Sequence, residues 1–381
     1  MNAPIRIAHV VEATAGGVAR HVIDLVTHLD PAAYTNLLYL SFGRADHRAP
    51  AFRALAAERE LTLREMPMAR IPNATVVKEL AAWWHRDAVD LVHLHSAKAG
   101  YLGRQALAGR ALPVVYTPHA FPFQRTTDWR RPLYRMIERR LAARTAKIIC
   151  VSQGEYEEAL AVGLPEEKLT VIANGLDPAA WPVPTPTQRR EIRGHYQVPP
   201  EALVIGALAR LTPQKGIDLL LAAAEEFLPD FPDARVMIWG DGPERRALQR
   251  LARRLRVKRV AFYGEASEPW RAYAVMNIFC APSRWEAGPY AVLEAMACGL
   301  PVVASDVPGH ADYLEHGESG LLVPADLPGP LDGALRSLLR DTDEREALGE
   351  AARRRVAHHF TLERMVAETA AVYRALVPRE G

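Results

Sequence analysis

Cysteine is scarce in this sequence, and neither sign of charge dominates. The 381 residues include three cysteines, Cys150, Cys280 and Cys298, which lie far apart and form no CxxC pair. This usage favours a reducing compartment and gives no support for a disulfide framework or a zinc site. The formal net charge of +2 provides no strong field to attract a phosphate backbone, so we expect no nucleic-acid partner.

Long apolar runs are also missing. No stretch of about twenty apolar residues occurs, so no membrane-spanning helix is predicted. The N-terminus lacks an apolar segment followed by a small-residue cleavage site, and it is predicted to form a first strand instead of a signal peptide. We therefore expect a cytoplasmic protein, which could touch the inner face of the cell membrane from its surface.

Short β-branched runs alternate with segments of helical period, which is typical of parallel α/β sheets. The chain is long enough for two domains, and the proline-rich stretch at 181–187 indicates a linker. We predict a domain over residues 1–182, a second over 183–360, and a last helical segment at 361–381 that packs back on the first. Predicted strands are Ile5–Val11, Asn36–Ser41, Asp90–His95, Val114–Thr117, Lys147–Val151, Leu169–Ile172, Leu203–Leu208, Val236–Trp239, Val260–Tyr263, Ile278–Ala281, Val302–Ala304 and Leu321–Val323.

The segment EAGPYAVLE places two carboxylates around a predicted helix start. Gly288 and Pro289 mark that start, with Pro289 at the first helical position, Glu286 upstream and Glu294 inside the helix. The two carboxylates would lie roughly 7–10 Å apart along the axis. The helix N-terminus suits a phosphate, and carboxylates accept hydrogen bonds from sugar hydroxyls. The alternative is that Glu286 is a solvated loop charge and Glu294 a surface helix residue.

Two further loops follow predicted strands. ARLTPQKG places Arg210 and Lys215 after one strand, where an arginine fork and a lysine point charge can clamp a phosphate without a metal. WGDGPERR places Gly240, Asp241 and Gly242 after the next strand, where glycines allow a tight turn close to a ligand. Asp241 could equally be a plain helix N-cap.

Paired glycines, Gly16 and Gly17, separate the first predicted strand from its helix. The loop lacks a full GxGxxG pattern, so a nicotinamide site is not favoured. Adjacent glycines before a helix still let a ligand approach the backbone N–H groups.

Two patterns raise the question of a metal. His93 and His95 share one face of a strand, but no third ligand is nearby in sequence, and such histidines are usually hydrogen-bonded locally. Asp341 and Asp343 spell a DxD, yet they precede a charged helical run, where Asp341 suits an N-cap. No metal is predicted.

The segment between Arg125 and Lys147 carries eight basic and two acidic residues. Trp129, Leu133 and Met136 are among the apolar residues interleaved with these charges. The segment could rest on an anionic membrane surface. It could equally be an ordinary amphipathic helix with a solvated basic face.

Taken together, the motifs of the second half resemble the donor domain of family-4 retaining glycosyltransferases of the GT-B fold. The matching positions, in order, are Arg210 with Lys215, Gly240–Pro243, Tyr263-Gly264, Pro282-Ser283, Glu286, Glu294-Ala-Met, Gly299-Leu-Pro-Val-Val and Gly320-Leu-Leu-Val-Pro. The resemblance implies an α/β fold of two doubly wound, Rossmann-like domains that face each other across a cleft.

The resemblance also implies roles for single residues toward a UDP-sugar or GDP-sugar donor. Glu286 would lie at the donor sugar, Glu294 would bind the ribose hydroxyls, and Arg210 and Lys215 would bind the diphosphate. The turn formed by Tyr263, Gly264 and Glu265 would hold the base.

One departure from the family pattern concerns the helix start. Pro289 cannot donate a backbone hydrogen bond, so contacts near Gly288 would come from Tyr290 and Ala291.

In the first half, the family's paired-glycine loop corresponds to Gly16 and Gly17, which would face the donor phosphates and the acceptor. His119 matches a histidine that faces the donor sugar. We expect an enzyme without cofactor or metal that transfers a hexose or N-acetylhexosamine to a hydroxyl of a saccharide or lipid-linked acceptor, with retention. The alternatives are a sugar-nucleotide epimerase or phosphorylase, or a non-catalytic binding protein.

Overall fold

The computed structural model describes residues 3–43, 49–68, 73–107, 111–124 and 129–378. It divides the chain into two compact units. The N-terminal unit consists of Met1–Asn174 with Leu362–Gly381, and the C-terminal unit consists of Gly175–Thr361.

The N-terminal unit is built on a sheet of seven strands in the order β3-β2-β1-β4-β5-β6-β7, and every pairing in it is parallel. The strands are β1 Ile5–Val11, β2 Tyr34–Leu40, β3 Thr62–Glu65, β4 Leu91–His95, β5 Val114–Thr117, β6 Lys147–Cys150 and β7 Leu169–Val171. The helices are α1 Gly16–His28, α2 Ala49–Glu58, α3 Ala74–Arg86, α4 Ala97–Ala106, α5 Arg131–Ala142, α6 Gln153–Ala161 and, from the end of the chain, α15 Leu362–Leu376.

The C-terminal unit contains a sheet of six strands in the order β10-β9-β8-β11-β12-β13, again parallel throughout. Its strands are β8 Leu203–Leu208, β9 Ala234–Trp239, β10 Val260–Phe262, β11 Ile278–Ala281, β12 Val302–Asp306 and β13 Leu321–Pro324. Its helices are α7 Pro186–His195, α8 Ile217–Phe227, α9 Arg245–Arg254, α10 Pro269–Val275, α11 Tyr290–Ala297, α12 Pro308–Ala311, α13 Pro328–Arg340 and α14 Thr342–His359.

The central strands are apolar on both faces because helices cover both sides of each sheet. Strands β1, β4, β8 and β11 are almost wholly buried. Edge strand β3, with the sequence TLRE, is only partly buried. Its sequence carries no apolar run, which explains why no strand was predicted there.

The final helix packs on the N-terminal unit. Leu362, Met365 and Tyr373 of α15 join a buried cluster with Ile5 and Ile7 of β1. Because of this packing, the residues after 361 belong to the N-terminal unit. The first break falls after Asn174 and not after residue 182, and α7 begins at Pro186, inside the predicted linker.

Capping residues set several helix starts. The Asp341 side chain accepts a hydrogen bond from the Glu344 N–H at the start of α14, so the prediction of an N-cap is confirmed there. At α11, by contrast, Pro289 occupies the N-cap and Tyr290 is the first helical residue. The prediction of Pro289 as the first helical position is therefore wrong by one residue.

In each sheet the strand order reverses at one place. The reversal lies between β1 and β4 in the N-terminal unit and between β8 and β11 in the C-terminal unit. Ligands of open parallel sheets bind outside the carboxyl ends of the strands at such points. The loops after these four strands are therefore where a site is expected.

Among the described residues, no helix is long and apolar enough to cross a bilayer.

Candidate functional site

In the C-terminal unit, the loop after β8 is tied to the loop after β11. Gly216 has a φ of +61°, and a Cβ on it would lie 1.9 Å from the Pro282 carbonyl oxygen, so only glycine allows this approach. The Arg284 N–H donates to the Gln214 carbonyl at 2.7 Å, and its guanidinium pairs with Asp218 at 2.7 Å. These contacts hold the two loops side by side.

Glu286 is buried at the junction of these loops. The Lys215 ammonium donates to Glu286 Oε1, and Ser283 Oγ donates to the same oxygen at 2.8 Å. The Gln214 side-chain amide lies 3.4 Å from Glu286 Oε2. The interpretation of Glu286 as a solvated loop charge is therefore wrong.

The electrostatics keep this carboxylate ionised. Burial by itself would raise the pKa of Glu286, but Lys215 and His310 more than offset that effect, so the pKa lies below its usual value. The hydrogen bonds from Lys215 and Ser283 act in the same direction. Glu286 thus remains an acceptor for hydroxyl donors at neutral pH.

His310, which no sequence pattern indicated, lies beside Glu286. A Cβ on the preceding Gly309 would lie 2.6 Å from the Glu286 carbonyl carbon, so the two backbones are in close contact. Burial lowers the pKa of His310 although Glu286 acts against this, and its Nδ1 donates to the Ser305 carbonyl at 2.9 Å. Its buried Nε2 has no hydrogen-bond partner within the part of the chain that the structure describes.

The two predicted phosphate-binding cations differ in their surroundings. Lys215 is partly buried and paired with Glu286. Arg210 is exposed, and its guanidinium makes no hydrogen bond or ion pair with any described residue. The structure therefore brings Lys215 next to the carboxylate that was predicted at the sugar, and it leaves Arg210 available to an anion.

The glycine turn after β9 packs on the backbone of the neighbouring loop. Gly240 has a φ of +125°, and a Cβ there would lie 1.9 Å from the Ala209 carbonyl oxygen. Its N–H donates to the Gly264 carbonyl at 3.0 Å. The Asp241 side chain accepts from the Gly242 N–H at 2.7 Å, whereas Glu244 precedes helix α9, so the interpretation of Asp241 as the N-cap is wrong.

The predicted base-binding turn lies beside this glycine turn. The Tyr263 ring stacks on Trp239, with 5.1 Å between ring centroids, and Tyr196 meets it edge-on. The Arg245 guanidinium donates to the Tyr263 carbonyl at 2.8 Å and to the Gly240 carbonyl at 3.1 Å. Arg245 therefore joins the two turns, and Gly264 and Glu265 after them are exposed.

Glu294 is buried on helix α11 and is not a surface residue, so that alternative is wrong as well. The Tyr273 hydroxyl donates to Glu294 Oε2 at 2.8 Å and also lies 3.2 Å from the Ala291 carbonyl. Tyr290 is buried at the first position of the helix, and Gly288 is partly exposed before it. Tyr273, which was not singled out in the sequence, fixes the carboxylate.

In the N-terminal unit, Gly16 and Gly17 are exposed at the start of α1. Gly16 has a φ of +61°, and a Cβ on it would meet open space. The glycine is thus required by the backbone conformation and not by crowding.

Five histidines, four of them buried, form a cluster at the reversal point of this unit. His9 on β1 places Nδ1 3.3 Å from His95 Nε2, and its own Nε2 donates to Asn36 Oδ1 at 3.0 Å. His21 on α1 donates from Nδ1 to Asn174 Oδ1 at 3.0 Å. The other two members are His93 and His119, whose rings lie within 6 Å of the His95 ring centroid, at 3.9 and 5.8 Å.

The cluster departs from the expectation for His93 and His95. His93 is satisfied by Thr117 Oγ1 at 2.8 Å and by the Tyr373 hydroxyl at 2.6 Å. Tyr373 comes from the last helix of the chain, so this contact is not local. His95 contacts His9 from another strand, so the fold, and not the nearby sequence, supplies the neighbours of both histidines.

Desolvation keeps these rings neutral. Burial lowers the pKa of His9 and of His21 to about 4, in spite of the hydrogen bonds to Asn36 and Asn174 that act in the opposite direction. It also lowers the pKa of His93 and His95 well below the usual value. At neutral pH these four residues are therefore uncharged imidazoles with lone pairs.

His119 lies in the loop after β5 in a strained conformation. His119 has a φ of 49° and Ala120 a φ of 78°, both unusual for residues with a side chain. The buried Glu155 carboxylate accepts from the Ala120 N–H at 2.7 Å and from the Val151 N–H at 2.8 Å. Glu155 therefore holds the loop, and such imposed strain is common at functional sites.

The basic segment falls partly outside the described residues, since 125–128 are not among them. Its helix, α5, buries Glu138 in an ion pair with Arg104 at 2.9 Å. Trp129, Leu133 and Met136 are 80%, 42% and 44% exposed, respectively. The segment therefore combines a buried anchor with an apolar outer surface among arginines.

Both halves of the chain are similar to known glycosyltransferases. The family model "Glycosyl transferases group 1" matches residues 188–355, and the model "Glycosyltransferase Family 4" matches residues 15–180. A D-inositol 3-phosphate glycosyltransferase of Jonesia denitrificans is 33% identical, over 74% of this chain and 71% of the relative.

Two further proteins are similar to this chain in sequence or in fold. The UDP-Gal:alpha-D-GlcNAc-diphosphoundecaprenol alpha-1,3-galactosyltransferase of Escherichia coli is 28% identical over 74% of each chain. The crystal structure of Anabaena Alr3699/HepE in complex with UDP and glucose superposes with a TM-score of 0.85 at 22% identity, over 97% of this chain and 100% of that one. The predicted GT-B fold is thereby confirmed, and the chain belongs to glycosyltransferase family 4.

Proposed function

We propose that this glycosyltransferase moves a hexose or N-acetylhexosamine from a UDP-sugar or GDP-sugar to a hydroxyl of a saccharide or lipid-linked acceptor, with retention at the anomeric carbon. The observation that carries the proposal is the buried contact of Lys215 and Ser283 with Glu286, in the same loops as the unpaired Arg210. An anion-binding group and a hydroxyl-binding group are thereby placed next to each other. A sugar diphosphate presents these two chemistries in adjacent positions.

Charge stabilisation is the main catalytic requirement of this reaction. The bond between the anomeric carbon and the diphosphate oxygen breaks, and the acceptor oxygen bonds to the same face of the sugar. The acceptor proton passes to the departing diphosphate. Arg210 and Lys215 neutralise the charge that builds on the diphosphate, so the proposed transfer step requires no metal.

Glu286 has the properties needed to orient the donor sugar. It is buried and ionised, and its oxygens accept hydrogen bonds, which suits sugar hydroxyls. When the diphosphate arrives, Lys215 can shift from Glu286 toward the phosphate and free the carboxylate for the sugar. We assign Glu286 as an orienting residue and not as a covalent nucleophile.

The nucleoside is assigned to the loops after β9 and β10. Gly240, Asp241, Tyr263, Gly264 and Glu265 form adjoining turns there, which supports base binding largely through the backbone.

Glu294 would bind the ribose hydroxyls, with Tyr273 fixing its orientation. The start of α11 at Gly288, Tyr290 and Ala291 would face the diphosphate.

For the N-terminal unit we propose that Gly16 and Gly17 serve the phosphates and the acceptor, and that His119 makes a polar contact with the donor sugar. The strain at His119 supports a functional role for that loop.

The names of several relatives favour a cell-surface glycan as the product. They include the diphosphoundecaprenol galactosyltransferase described above and a lipopolysaccharide core mannosyltransferase, LpsB, of Rhizobium meliloti. We propose a cytoplasmic enzyme that approaches lipid-linked acceptors at an anionic membrane surface through α5 and Trp129.

Thermal-shift measurements test the donor. A panel of UDP-sugars and GDP-sugars is added to the wild type, to Arg210→Ala and to Arg250→Ala, an exposed arginine on α9 that serves as a matched control. We expect at least one sugar nucleotide to raise the melting temperature of the wild type and of Arg250→Ala, and to raise it much less for Arg210→Ala. If no member of the panel stabilises the wild type, the donor assignment is wrong.

Product analysis separates transfer from the alternatives. Turnover of the sugar nucleotide without transfer to any acceptor would indicate an epimerase or phosphorylase. Binding that is weakened by Glu286→Gln, with no product from any acceptor, would indicate a binding protein. We expect an acceptor-dependent product from the wild type and a rate at least 100-fold lower from Glu286→Gln.

Vesicle sedimentation tests the membrane contact. We expect the wild type to co-sediment with vesicles containing an anionic phospholipid and not with zwitterionic ones. A Trp129→Ser, Met136→Ser variant should lose this binding, whereas Leu327→Ser, an exposed leucine of the other unit, should keep it. Equal sedimentation of all three proteins would contradict a contact through α5.

A further inference from the structure

The histidine cluster contains two sets of three rings whose nitrogens converge. In one set, His9, His93 and His95, the ligand atoms lie within 4.8 Å of one another, and the same holds for His21, His95 and His119. Among the described residues, neither set contains a cysteine, an aspartate or a glutamate. Neutral imidazole nitrogen is the ligand type that zinc and related transition metals prefer.

The hydrogen bonds distinguish the two sets. Both nitrogens of His93 already have partners, Tyr373 and Thr117, so an ion in the first set would have to break one of these bonds. In the second set, His21 Nε2 and His95 Nδ1 are buried without a hydrogen-bond partner within the described part of the chain. A buried polar atom without a partner is costly, so the second set is the one that calls for a ligand.

The tautomers follow from the outer hydrogen bonds. Asn174 Oδ1 can only accept, so His21 carries its proton on Nδ1 and a lone pair on Nε2. Asn36 Oδ1 likewise accepts a hydrogen bond from His9 Nε2, which therefore carries the proton, and His9 Nδ1 is left as the acceptor for His95 Nε2. His95 therefore carries its lone pair on Nδ1. Both unpartnered nitrogens are metal-binding lone pairs, and each ring is oriented by a second residue, as metal ligands usually are.

We propose that His21 Nε2, His95 Nδ1 and one ring nitrogen of His119 bind one divalent transition-metal ion of the zinc class, with a fourth position open to water. Zinc–nitrogen bonds of about 2.0–2.1 Å place tetrahedral ligands roughly 3.3 Å apart. One nitrogen of each of the three rings already lies within 4.8 Å of the other two, so a small closing movement assembles the site. His119 is the least buried of the three residues. The ion would join α1 to the end of β4 and to the loop that follows β5.

Metal titration of the full chain, freed of any affinity tag and stripped with a chelator, tests the proposal. We expect one equivalent of Zn²⁺ to bind and to raise the melting temperature of the wild type. Co²⁺ should give the visible absorption spectrum of a tetrahedral site with nitrogen ligands. If the wild type binds neither ion at one equivalent, the proposal is wrong, and the unpartnered nitrogens are hydrated instead.

Variants locate the ion. His21→Gln and His95→Gln should each weaken Zn²⁺ binding on the order of 100-fold, and His358→Ala, an exposed histidine of α14, should leave it unchanged. Far-ultraviolet circular dichroism without metal shows whether each variant is folded. Unchanged affinity in folded His21→Gln would overturn the assignment. If both variants are unfolded, the cobalt spectrum of the wild type decides, since a spectrum typical of six oxygen ligands contradicts the site.

Discussion

The two units place buried titratable groups at the same position in their sheets but treat them in opposite ways. At the reversal between β8 and β11, Glu286 is ionised and paired with Lys215. At the reversal between β1 and β4, burial keeps His9 and its neighbours neutral. The comparison shows that the Rossmann-like frame fixes where polar groups converge, whereas the available partners decide whether they are charged.

Lowering the pH should produce the largest difference in stability between the two units. Because the folded-state pKa of His9 is about 4 and the unfolded value is about 6.5, the unfolded state binds more protons as the pH falls. The stability from this neutral ring is complete above pH 6.5 and is lost on the way down to pH 4. His9 alone should cost about 2 kcal/mol at pH 5. The pKa values of His21, His93 and His95 shift in the same direction.

The C-terminal unit should lose less stability over this range. Its Glu286 pairing persists above the unfolded pKa of about 4.3 and is lost only in stronger acid. His310, also buried with a lowered pKa, contributes a smaller loss. Hydrogen exchange of each unit between pH 7 and 5, in the presence of a chelator and corrected for intrinsic rates, measures the difference. Equal loss of protection in both units would contradict the comparison.

Breaking the ion pair is the next largest effect. Lys215→Met leaves the buried Glu286 carboxylate without its counter-charge and should destabilise the C-terminal unit by about 3 kcal/mol. Adding Glu286→Gln should restore part of the loss, because no charge is then buried. Lys258→Met, at an exposed position, is the control for urea unfolding. A double variant that is no more stable than Lys215→Met would show that the pair is not the cause.

In the N-terminal unit, the corresponding test concerns Glu155, whose carboxylate holds the His119 loop. Glu155→Ala leaves the Ala120 and Val151 N–H groups without their acceptor and should cost about 2 kcal/mol. Glu155→Gln, which retains one carbonyl oxygen, should cost less. Urea unfolding with the exposed Glu157→Ala as control checks the order. Equal losses for the alanine and glutamine variants would mean that packing, and not the hydrogen bonds, is responsible.

The smallest expected effects are the losses of stability caused by two tyrosine substitutions, one in each unit. Tyr273→Phe removes a donor to the Glu294 carboxylate, and Tyr373→Phe removes the hydroxyl that contacts neutral His93. Hydrogen bonds to charged groups are worth about twice as much as neutral ones, so we expect losses of about 2 and about 1 kcal/mol. Thermal unfolding of both variants checks the ranking, and the reverse order would contradict the assignment of charge to the two sites.

Much of the fold followed from local sequence. The β-branched runs placed β1, β5, β8 and β11 at the same bounds that the structure shows. Edge strand β3 was missed because TLRE has neither an apolar run nor alternation. Asp341 was found as a cap because capping depends on residues within one turn.

The candidate site was predictable only in outline. Arg210, Lys215, Glu286 and Glu294 were found because short motifs carry them after strands. The contact between Lys215 and Glu286 was not, since it joins loops 71 residues apart. His310 and Tyr273 carry no local signal, because each acts through a neighbour that the fold supplies.

By itself, the sequence determined the alternation of strands and helices and the positions of the glycine turns, because both depend on residues near each other in the chain. Tertiary structure alone decided which side chains meet, and therefore which are charged. Glu286 is ionised because a loop from another strand brings Lys215 to it. Four histidines, His9, His21, His93 and His95, become one neutral cluster because the reversal of the sheet gathers them away from water.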